Sequence, residues 1–351
     1  MGGPGQRRAG QPARGVVVGD RDRQRRHCFS ILAGFAPVEV RSTYPLVLAG
    51  EAALGLPGAT EHPGYPLAAA VSALFASTRA DVTGAEELCR RAAEANARRD
   101  TPDWRVEATV CGARTNIAVA SGAFADAARF AKQAADIARA GGDLADASVE
   151  LTIAAGCYLL IDNAPAADPL AREALALARE IRVPALIASG LLAVGVAVGG
   201  TDPDQARACL RESRELSTAV GYQSAIDLVW ATTIAFVVGD QAATLELGRG
   251  AIRGLQWAGR FRMGPVLNMI AGALLASRPE AAAIIQGAAE NYGARSPMFA
   301  LLSSTVTASL GEKRARELRA RGADMDWDHV LAYTLTQAAQ VLSELNSETE
   351  P

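Results

Sequence analysis

Apolar positions recur at the spacing of an α-helix along most of the chain, and the alternation typical of strands is almost absent. From about residue 83 the pattern is helix, short turn, helix. The second helix of each pair carries Arg and Glu along one side, as at Arg172 and Glu173, whereas the first is apolar around most of its girth. First helices are predicted over Ile153–Ile161, Ala185–Val198, Leu228–Val238 and Val266–Ala276. The contrast predicts a buried inner helix and a half-exposed outer helix in each pair.

The pairs repeat with a nearly constant period. Turn signals lie 41, 39, 38 and 38 residues apart, at Ser121-Gly122, Asp162-Asn163, Thr201-Asp202, Gly239-Asp240 and Ser277-Arg278. Eight residues before each turn stands a column of small residues, Ala113, Ala154, Ala193 and Ala231, which Met269 interrupts. A second column, Leu88, Phe130, Leu170 and Cys209, runs through the outer helices at spacings of 42, 40 and 39. Together they predict an all-α fold, an α-solenoid of tetratricopeptide-like hairpins with a period of about 38–42.

Three segments follow from this pattern. Residues 1–64 are expected to form a disordered or irregular basic leader, since residues 1–26 hold seven arginines against two aspartates and Pro and Gly interrupt the rest, with a short helix over Leu46–Leu54. The helical-repeat array is expected over 65–309, starting with a hairpin at Pro66–Thr78 and Gly84–Ala97. A helical cap is expected over 310–346, closed by a helix that Asp326 caps.

One inner helix could be mistaken for a membrane span. Val183–Thr201 carries no charge and contains Gly195-x-x-x-Gly199, a spacing found where membrane helices approach closely. However, Pro184 opens the segment, four glycines dilute it, and it falls in phase with shorter repeats. The pattern therefore favours a buried inner helix with a close-packing glycine face.

Composition and charge limit the classes of protein to which the chain can belong. The chain has 351 residues, half of them hydrophobic, and a formal net charge of −3, so a basic nucleic-acid binder is not expected. Its five cysteines form no Cys-x-x-Cys pair, which argues against a disulfide framework and a zinc site and favours a reducing cytoplasm. Four of the five lie in apolar helical patterns and are expected to serve as small core residues.

Motifs that carry chemistry are absent from the sequence. Neither lysine lies in a phosphate-binding loop, and the glycines of Gly248–Gly254 have the wrong spacing for a dinucleotide loop and lie in a helical pattern. The three histidines are scattered, and Asp324-x-Asp326-x-Asp328 lacks the Gly and Glu of a calcium loop. The arginines of residues 312–321 are expected to pair as Glu312–Arg316 and Glu317–Arg321. We therefore predict no catalytic residue, no metal and no cofactor.

A polar column marks the one candidate site. Twelve residues before each turn stand Thr109, Glu150, Ser189 and Asp227, followed by Pro265, with Trp230 close to the last polar member. On otherwise apolar inner helices, these side chains could line a groove that binds a ligand or a partner. Alternatively, they lie at the edges between repeats and bond to backbone or water.

The repeats also resemble a known family. Together with Ile285-Gln-Gly-Ala-Ala-Glu290 and the segment from Leu310 to Gly322, they look like the C-terminal tetratricopeptide-like region of actinobacterial signalling ATPases of the adenylyl cyclase and LuxR-type regulator family. The resemblance covers roughly residues 84–345. The cyclase, ATPase and DNA-binding domains of that family have no counterpart in this sequence.

The resemblance implies a non-catalytic regulatory or protein-interaction scaffold, the sensing arm of such a protein. It would bind a protein or peptide, or a small ligand, in the cytoplasm, without direct contact with nucleic acid or membrane. The alternative is a truncated LuxR-type regulator or cyclase subunit that works through a separate ATP-binding domain. The reading frame upstream distinguishes the two, since the alternative requires a phosphate loop or a cyclase domain.

Overall fold

The computed structural model describes residues 54–79, 81–221, 224–255, 263–292 and 298–349, with the backbone alone at 298–301 and 348–349. Over these ranges the chain is helical and contains no strand, which confirms the predicted all-α, solenoid-like fold. The first eight helices are α1 Tyr65–Thr78, α2 Val82–Ala97, α3 Trp104–Ala120, α4 Phe124–Ala140, α5 Leu144–Leu159, α6 Ala164–Ile181, α7 Pro184–Val198 and α8 Pro203–Val220. The others are α9 Ala225–Val237, α10 Gln241–Leu255, α11 Met263–Leu274, α12 Pro279–Ala289, α13 Met298–Leu310, α14 Glu312–Ala323 and α15 Trp327–Thr349.

Consecutive helices pack as antiparallel pairs from α1/α2 to α11/α12. Their starts are encoded locally, because the side chains of Asp81, Asp143, Asn163 and Asp202 each accept a hydrogen bond from a backbone N–H of the first turn. Prolines in the first turn of α6, α7, α8 and α12 add a fixed backbone angle suited to that position. The predicted first hairpin corresponds to α1 and α2.

The first helices form the inner layer. Helix α5 packs on α7, α7 on α9 and α9 on α11, in addition to the outer helix of each pair. The column of small residues lies in this layer: Ala113, Ala154, Ala193 and Ala231 have no exposed surface, and Met269 is 1% exposed. Small side chains there let neighbouring helices approach, as the sequence predicted.

The uncharged segment around Pro184–Val198 forms α7, one of the inner helices, and its Gly195 lies against Ile234 of α9 and Cys209 of α8. None of the helices in the described ranges has both the length and the apolar character needed to cross a membrane. Cys89, Cys111, Cys157 and Cys209 are buried, as expected for small core residues.

The last helices depart from the simple pairing. Helix α12 packs mainly against α14 and makes less contact with α13, the helix between them in the chain. Helix α15 turns back to pack on α10 and α11. Gly287 of α12 and Gly322 of α14 lie at the crossing of their helices, where a methyl group on either would come within about 2 Å of a carbonyl oxygen of the other helix. Helix α15 begins as predicted, with the Asp326 carboxylate accepting from the His329 N–H at 3.0 Å.

Two details of the C-terminal region differ from the sequence prediction. The ion pairs of α14 run from Arg314 to Glu280 of α12 and to Glu317, instead of the predicted Glu312–Arg316 and Glu317–Arg321 pairs, because α12 brings an acidic side chain within reach. On α15 the buried stripe passes through Trp327, Val330, Thr334, Ala338 and Val341. The sequence pattern predicts a stripe of Leu331, Leu335, Ala338, Leu342 and Leu345 on this helix. Ala338 is fully buried, whereas the four leucines are only partly buried.

The predictions for residues 1–53, including the basic segment 1–26 and most of Leu46–Leu54, lie outside the described residues. Of the predicted leader, the structure describes 54–64. Ala59–Glu61 forms a single turn of 3-10 helix, and Ala59 is buried in the cluster formed by α1. Leu54 and Leu56 pack against the same cluster, so this part of the chain covers the first helix of the array.

Candidate functional site

The polar column lies on the inner helices, one member per hairpin. Thr109 is on α3, Glu150 on α5, Ser189 on α7 and Asp227 on α9. Thr109, Glu150 and Asp227 are buried, and Ser189 is partly exposed. The column therefore points largely into the array.

Ser189 and Asp227 meet between adjacent hairpins. The Ser189 hydroxyl donates to Asp227 Oδ1 at 2.6 Å. The other carboxylate oxygen, Oδ2, accepts from the Ser224 hydroxyl at 2.8 Å and the Ser224 N–H at 3.2 Å, while the Asp227 N–H donates to the Ser224 hydroxyl at 3.0 Å. The reciprocal bonds between Ser224 and Asp227 form a capping box that starts α9, and the bond from Ser189 ties α9 to α7. Both oxygens of this carboxylate are thus occupied by the protein itself.

Glu150 and Thr109 lie elsewhere in the array. Glu150 is 2% exposed and sits close enough to Cys111 of α3 for its charge to act on that thiol. Burial, with a smaller contribution from Glu150, raises the pKa of Cys111 to about 11. Burial likewise raises the pKa of Cys89 to about 11, so both thiols stay protonated near neutral pH. The structure brings neither Thr109 nor Glu150 into the Ser189–Asp227 network.

The Trp230 side chain contacts an inner helix that is not its immediate neighbour in the array. Its indole ring lies against Gly156 of α5, two hairpins earlier, where an added methyl group would come within 2.4 Å of the ring. The ring therefore passes across the intervening inner helix α7. Trp230 is partly exposed, so one part of the indole packs on Gly156 and another part remains accessible.

Partly exposed apolar side chains lie on the same inner helices as Trp230 and Gly156, and sequence analysis missed them. We call the inner face the set Val149 and Ile153 of α5, Leu186 of α7, and Val229 and Trp230 of α9, all partly exposed. Ile153 and Trp230 also pack on the buried core, whereas Val149 and Leu186 belong to none of the hydrophobic clusters. The sequence did contain a signal for these positions. The inner helices are apolar around their whole circumference, so they carry more apolar side chains than the core can bury.

Charge is concentrated on the outer helices and is largely paired there. Arg129 pairs with Asp126 at 2.6 Å and Lys132 with Asp136 at 2.8 Å, both within α4 and both exposed. Such exposed pairs each contribute about 0–1 kcal/mol, so they favour solubility of the outer face more than stability. The inner face itself contains no ionisable side chain.

The histidines and the possible metal ligands of the described residues were the remaining candidates for a site. Within the described residues, no cluster of three or more His, Cys, Asp and Glu side chains could hold a metal ion. His62 Nδ1 accepts from the Gly64 N–H at 3.0 Å, and His329 pairs with Asp326 at 2.7 Å on the exposed start of α15. His27 lies outside the described residues.

The fold thus defines an all-helical protein of the α-solenoid class. No protein-family model and no curated protein matches the chain. Among solved structures, it is similar to the crystal structure of BtubC (BKLC) from P. vanneervenii, with 16% identity and a TM-score of 0.44 over 66% of this chain and 90% of that chain.

Proposed function

We propose that this protein is a non-catalytic regulatory or protein-interaction scaffold that binds a peptide or protein segment on the inner face. One observation carries the proposal: the inner helices α5, α7 and α9 expose apolar side chains and no charged ones, whereas the outer helix α4 carries exposed, paired charges. Apolar surface left partly exposed beside a fixed aromatic ring is typical of a site that buries a partner's side chains.

The polar column has a different role in this proposal from the one considered from sequence alone. Because Asp227 is saturated by Ser189 and Ser224, it holds the helices in place and presents little to a ligand. The contact surface is then the inner face, which includes Trp230. Thr109, Glu150 and Ser189 support this surface from within the array.

The scaffold would act as the sensing arm of a signalling ATPase, in the cytoplasm. Two features support this part of the proposal. The segments that carry the family resemblance, Ile285–Glu290 and Leu310–Gly322, pack on each other through Gly287 and Gly322 and so form one structural unit. The four buried cysteines, none of which forms a disulfide within the described residues, are compatible with a reducing compartment.

Selection from a random-peptide display library against the purified protein tests the proposal. Leu186→Asp places a charge on the inner face at a partly exposed position, so the fold should tolerate it. Ala219→Asp places the same charge at an exposed position on outer helix α8 and serves as the matched control.

We expect enriched apolar or aromatic peptides that bind the unmodified protein and Ala219→Asp, and that bind Leu186→Asp at least ten-fold more weakly. Helix content measured by circular dichroism must be equal for the three proteins. Peptides that bind all three equally, or a selection that enriches none, would show that the inner face is not a binding surface.

A further inference from the structure

One polar group of the inner face, the indole N–H of Trp230, has no acceptor in the described part of the chain. Its Nε1–H donates no hydrogen bond there, and it is not one of the buried polar atoms that lack a partner. Because the residue is partly exposed, solvent reaches this N–H. A tryptophan N–H usually finds an acceptor when it is buried, so this one is available to whatever covers the ring.

Gly156 fixes the place of this donor. The ring edge formed by Cζ2 and Cη2 lies against Gly156, where the β-carbon of any other residue would be 2.4 Å from both atoms. Nε1 is bonded to Cε2, the neighbour of Cζ2, so the N–H lies beside the edge that rests on α5. Gly156 is buried, and a side chain there would force the ring away. The glycine is therefore a positioning residue for the donor.

Two threonines add hydrogen-bond acceptors on the same helices. Thr152 of α5 and Thr233 of α9 are both partly exposed. Each follows a member of the inner face, Val149 or Trp230, by three residues, a spacing that places side chains on one side of a helix. Each hydroxyl donates to the carbonyl four residues earlier, at 2.9 Å in both cases. The hydroxyl hydrogen is thus used within its own helix, and the oxygen keeps a lone pair that can accept from an occupant.

These groups define the chemistry of the occupant. The inner face contains no ionisable side chain, so nothing there offsets the cost of burying a charge. Beside its apolar side chains it offers one N–H donor and two hydroxyl acceptors. A peptide backbone in extended conformation has free C=O and N–H groups that match both kinds of group, whereas an α-helix uses these groups internally except at its ends.

We propose that Trp230 is the specificity-determining donor of the inner face, and that it selects an extended, uncharged peptide segment. A backbone carbonyl of the segment accepts from the indole N–H, and an adjacent apolar side chain packs on the exposed part of the ring. Backbone N–H groups of the segment donate to Thr152 and Thr233. An occupant that covers the ring without an acceptor leaves the N–H buried and unpaired, which disfavours it. This inference rests on the proposed function, because it names the class of segment that the same face binds.

Selection from two displayed libraries tests the class of segment. One library holds linear random heptapeptides, and the other holds a helical scaffold randomised on one face. We expect enrichment from the linear library and not from the helical one. Enrichment only of helical binders that Leu186→Asp releases would overturn this inference while supporting the proposed function. Enrichment from neither library would overturn both.

The indole N–H signals in heteronuclear NMR spectra test the donor directly. The most enriched linear heptapeptide, capped at both ends, is titrated into the isotope-labelled protein, and Trp230→Phe identifies the Trp230 signal. We expect this signal to move downfield at saturation, because its N–H forms a hydrogen bond, while the signals of Trp104 and Trp327 stay in place. If the signal does not move with a peptide that Leu186→Asp fails to bind, the inference is overturned and the proposed function stands.

Three variants separate the donor, its position and an acceptor. Trp230→Phe keeps a ring but removes the N–H, and should weaken binding of the heptapeptide about ten-fold. Gly156→Ala keeps the N–H but displaces it, and a similar loss is expected; the ring is partly exposed and can rotate away, so helix content should be unchanged. Thr233→Val keeps the side-chain shape and removes the acceptor, and should weaken binding about five-fold.

Thr218→Val is the matched control for the threonine variant. Thr218 is exposed on outer helix α8, and its hydroxyl also donates to the carbonyl four residues earlier, at 2.8 Å. This variant should bind the heptapeptide as the unmodified protein does. The inference is overturned if Trp230→Phe binds with unchanged affinity, or if Thr218→Val weakens binding as much as Thr233→Val. Should Gly156→Ala fail to fold, Trp230→Phe and the NMR titration decide the question.

Discussion

The crossing of α12 and α14 allows a sharp test of the packing, through the substitution Gly322→Ala. A methyl group on Gly322 would lie 1.8 Å from the carbonyl oxygen of Ile284 and 3.0 Å from the backbone nitrogen of Ala288. Carbon and oxygen atoms approach to about 3.3 Å in close contacts, so the helices would have to separate by about 1.5 Å. The obstacle is backbone, which cannot rotate away as a side chain can.

The two opposing effects of this substitution can be compared. Alanine in place of glycine inside a helix gains about 0.5–1 kcal/mol from its intrinsic preference. Separation of the helices forfeits part of the contacts of buried neighbours such as Ala288 and Leu318, and overpacking of this kind costs about 1–3 kcal/mol or more. Because backbone must move by about 1.5 Å, the cost lies towards the upper end of that range, and we expect a net loss of about 1–2 kcal/mol in the free energy of unfolding.

Urea denaturation followed by far-UV circular dichroism measures the effect, and Gly250→Ala is the matched control. Gly250 also lies inside a helix, but a methyl group there would meet its nearest neighbour, the side chain of Leu228, at an ordinary 3.5 Å. The control should be neutral or more stable by up to about 1 kcal/mol. A midpoint for Gly322→Ala equal to or above that of the unmodified protein would refute the close crossing.

Four other predictions concern the array. Ala193→Leu should lower the free energy of unfolding by about 1–3 kcal/mol, because its position has no free space; an unchanged denaturation curve would mean that the column of small residues does not control packing. Ser189→Ala removes a donor from the buried Asp227 carboxylate and should cost about 1–3 kcal/mol at neutral pH; an equal loss in an Asp227→Asn background would contradict the coupling. The raised pKa values of Cys89 and Cys111, about 11, mean that their contribution to stability is complete below pH 9 and is lost as the pH rises from 9 towards 11. Denaturation across that range should show a fall of about 1–2 kcal/mol per thiol, which the double alanine variant should lack. Titration of ATP with magnesium should give no saturable heat, because helical hairpins tie up the backbone N–H groups that cradle phosphates; a micromolar site would contradict the scaffold proposal.

The repeat was predictable because its information is local and periodic. Each hairpin packs mainly on its neighbours, so the same position in successive hairpins meets the same environment and keeps the same size. This is why the column through Ala193 and Ala231 appeared in the sequence and proved to be buried. The alternation of inner and outer helices followed from the same periodicity.

The closing helices were harder to predict because their contacts occur only once. The pairing of α12 with α14 depends on Gly287 and Gly322, two single glycines that no column marks. Similarly, the ion pair between Arg314 and Glu280 joins helices that are not consecutive in the chain. Sequence spacing within one helix predicted only the pairs along that helix.

The sequence predicted which residues of the candidate site lie on the inner helices, but not which side chains contact one another. The sequence placed Ser189 and Asp227 in one column, yet their hydrogen bond depends on how far α9 is rotated relative to α7. The contact of Trp230 with Gly156 depends on the curvature over two hairpins, which a repeat period does not encode. The periodicity specified which helices are neighbours and left the side-chain geometry open.

Departures from the repeat are where this array acquires distinct local features. A larger residue in the column of small residues needs other packing partners. Met269 has them in the cluster that α15 joins when it turns back on α11. A smaller residue stands in the column of larger ones at Cys209, which is buried in the same core cluster as Leu170. Because adjacent hairpins hold the helix spacing fixed, neither change can be absorbed by a general shift of the array. A substitution in such a column therefore changes the local surface while the fold around it stays the same.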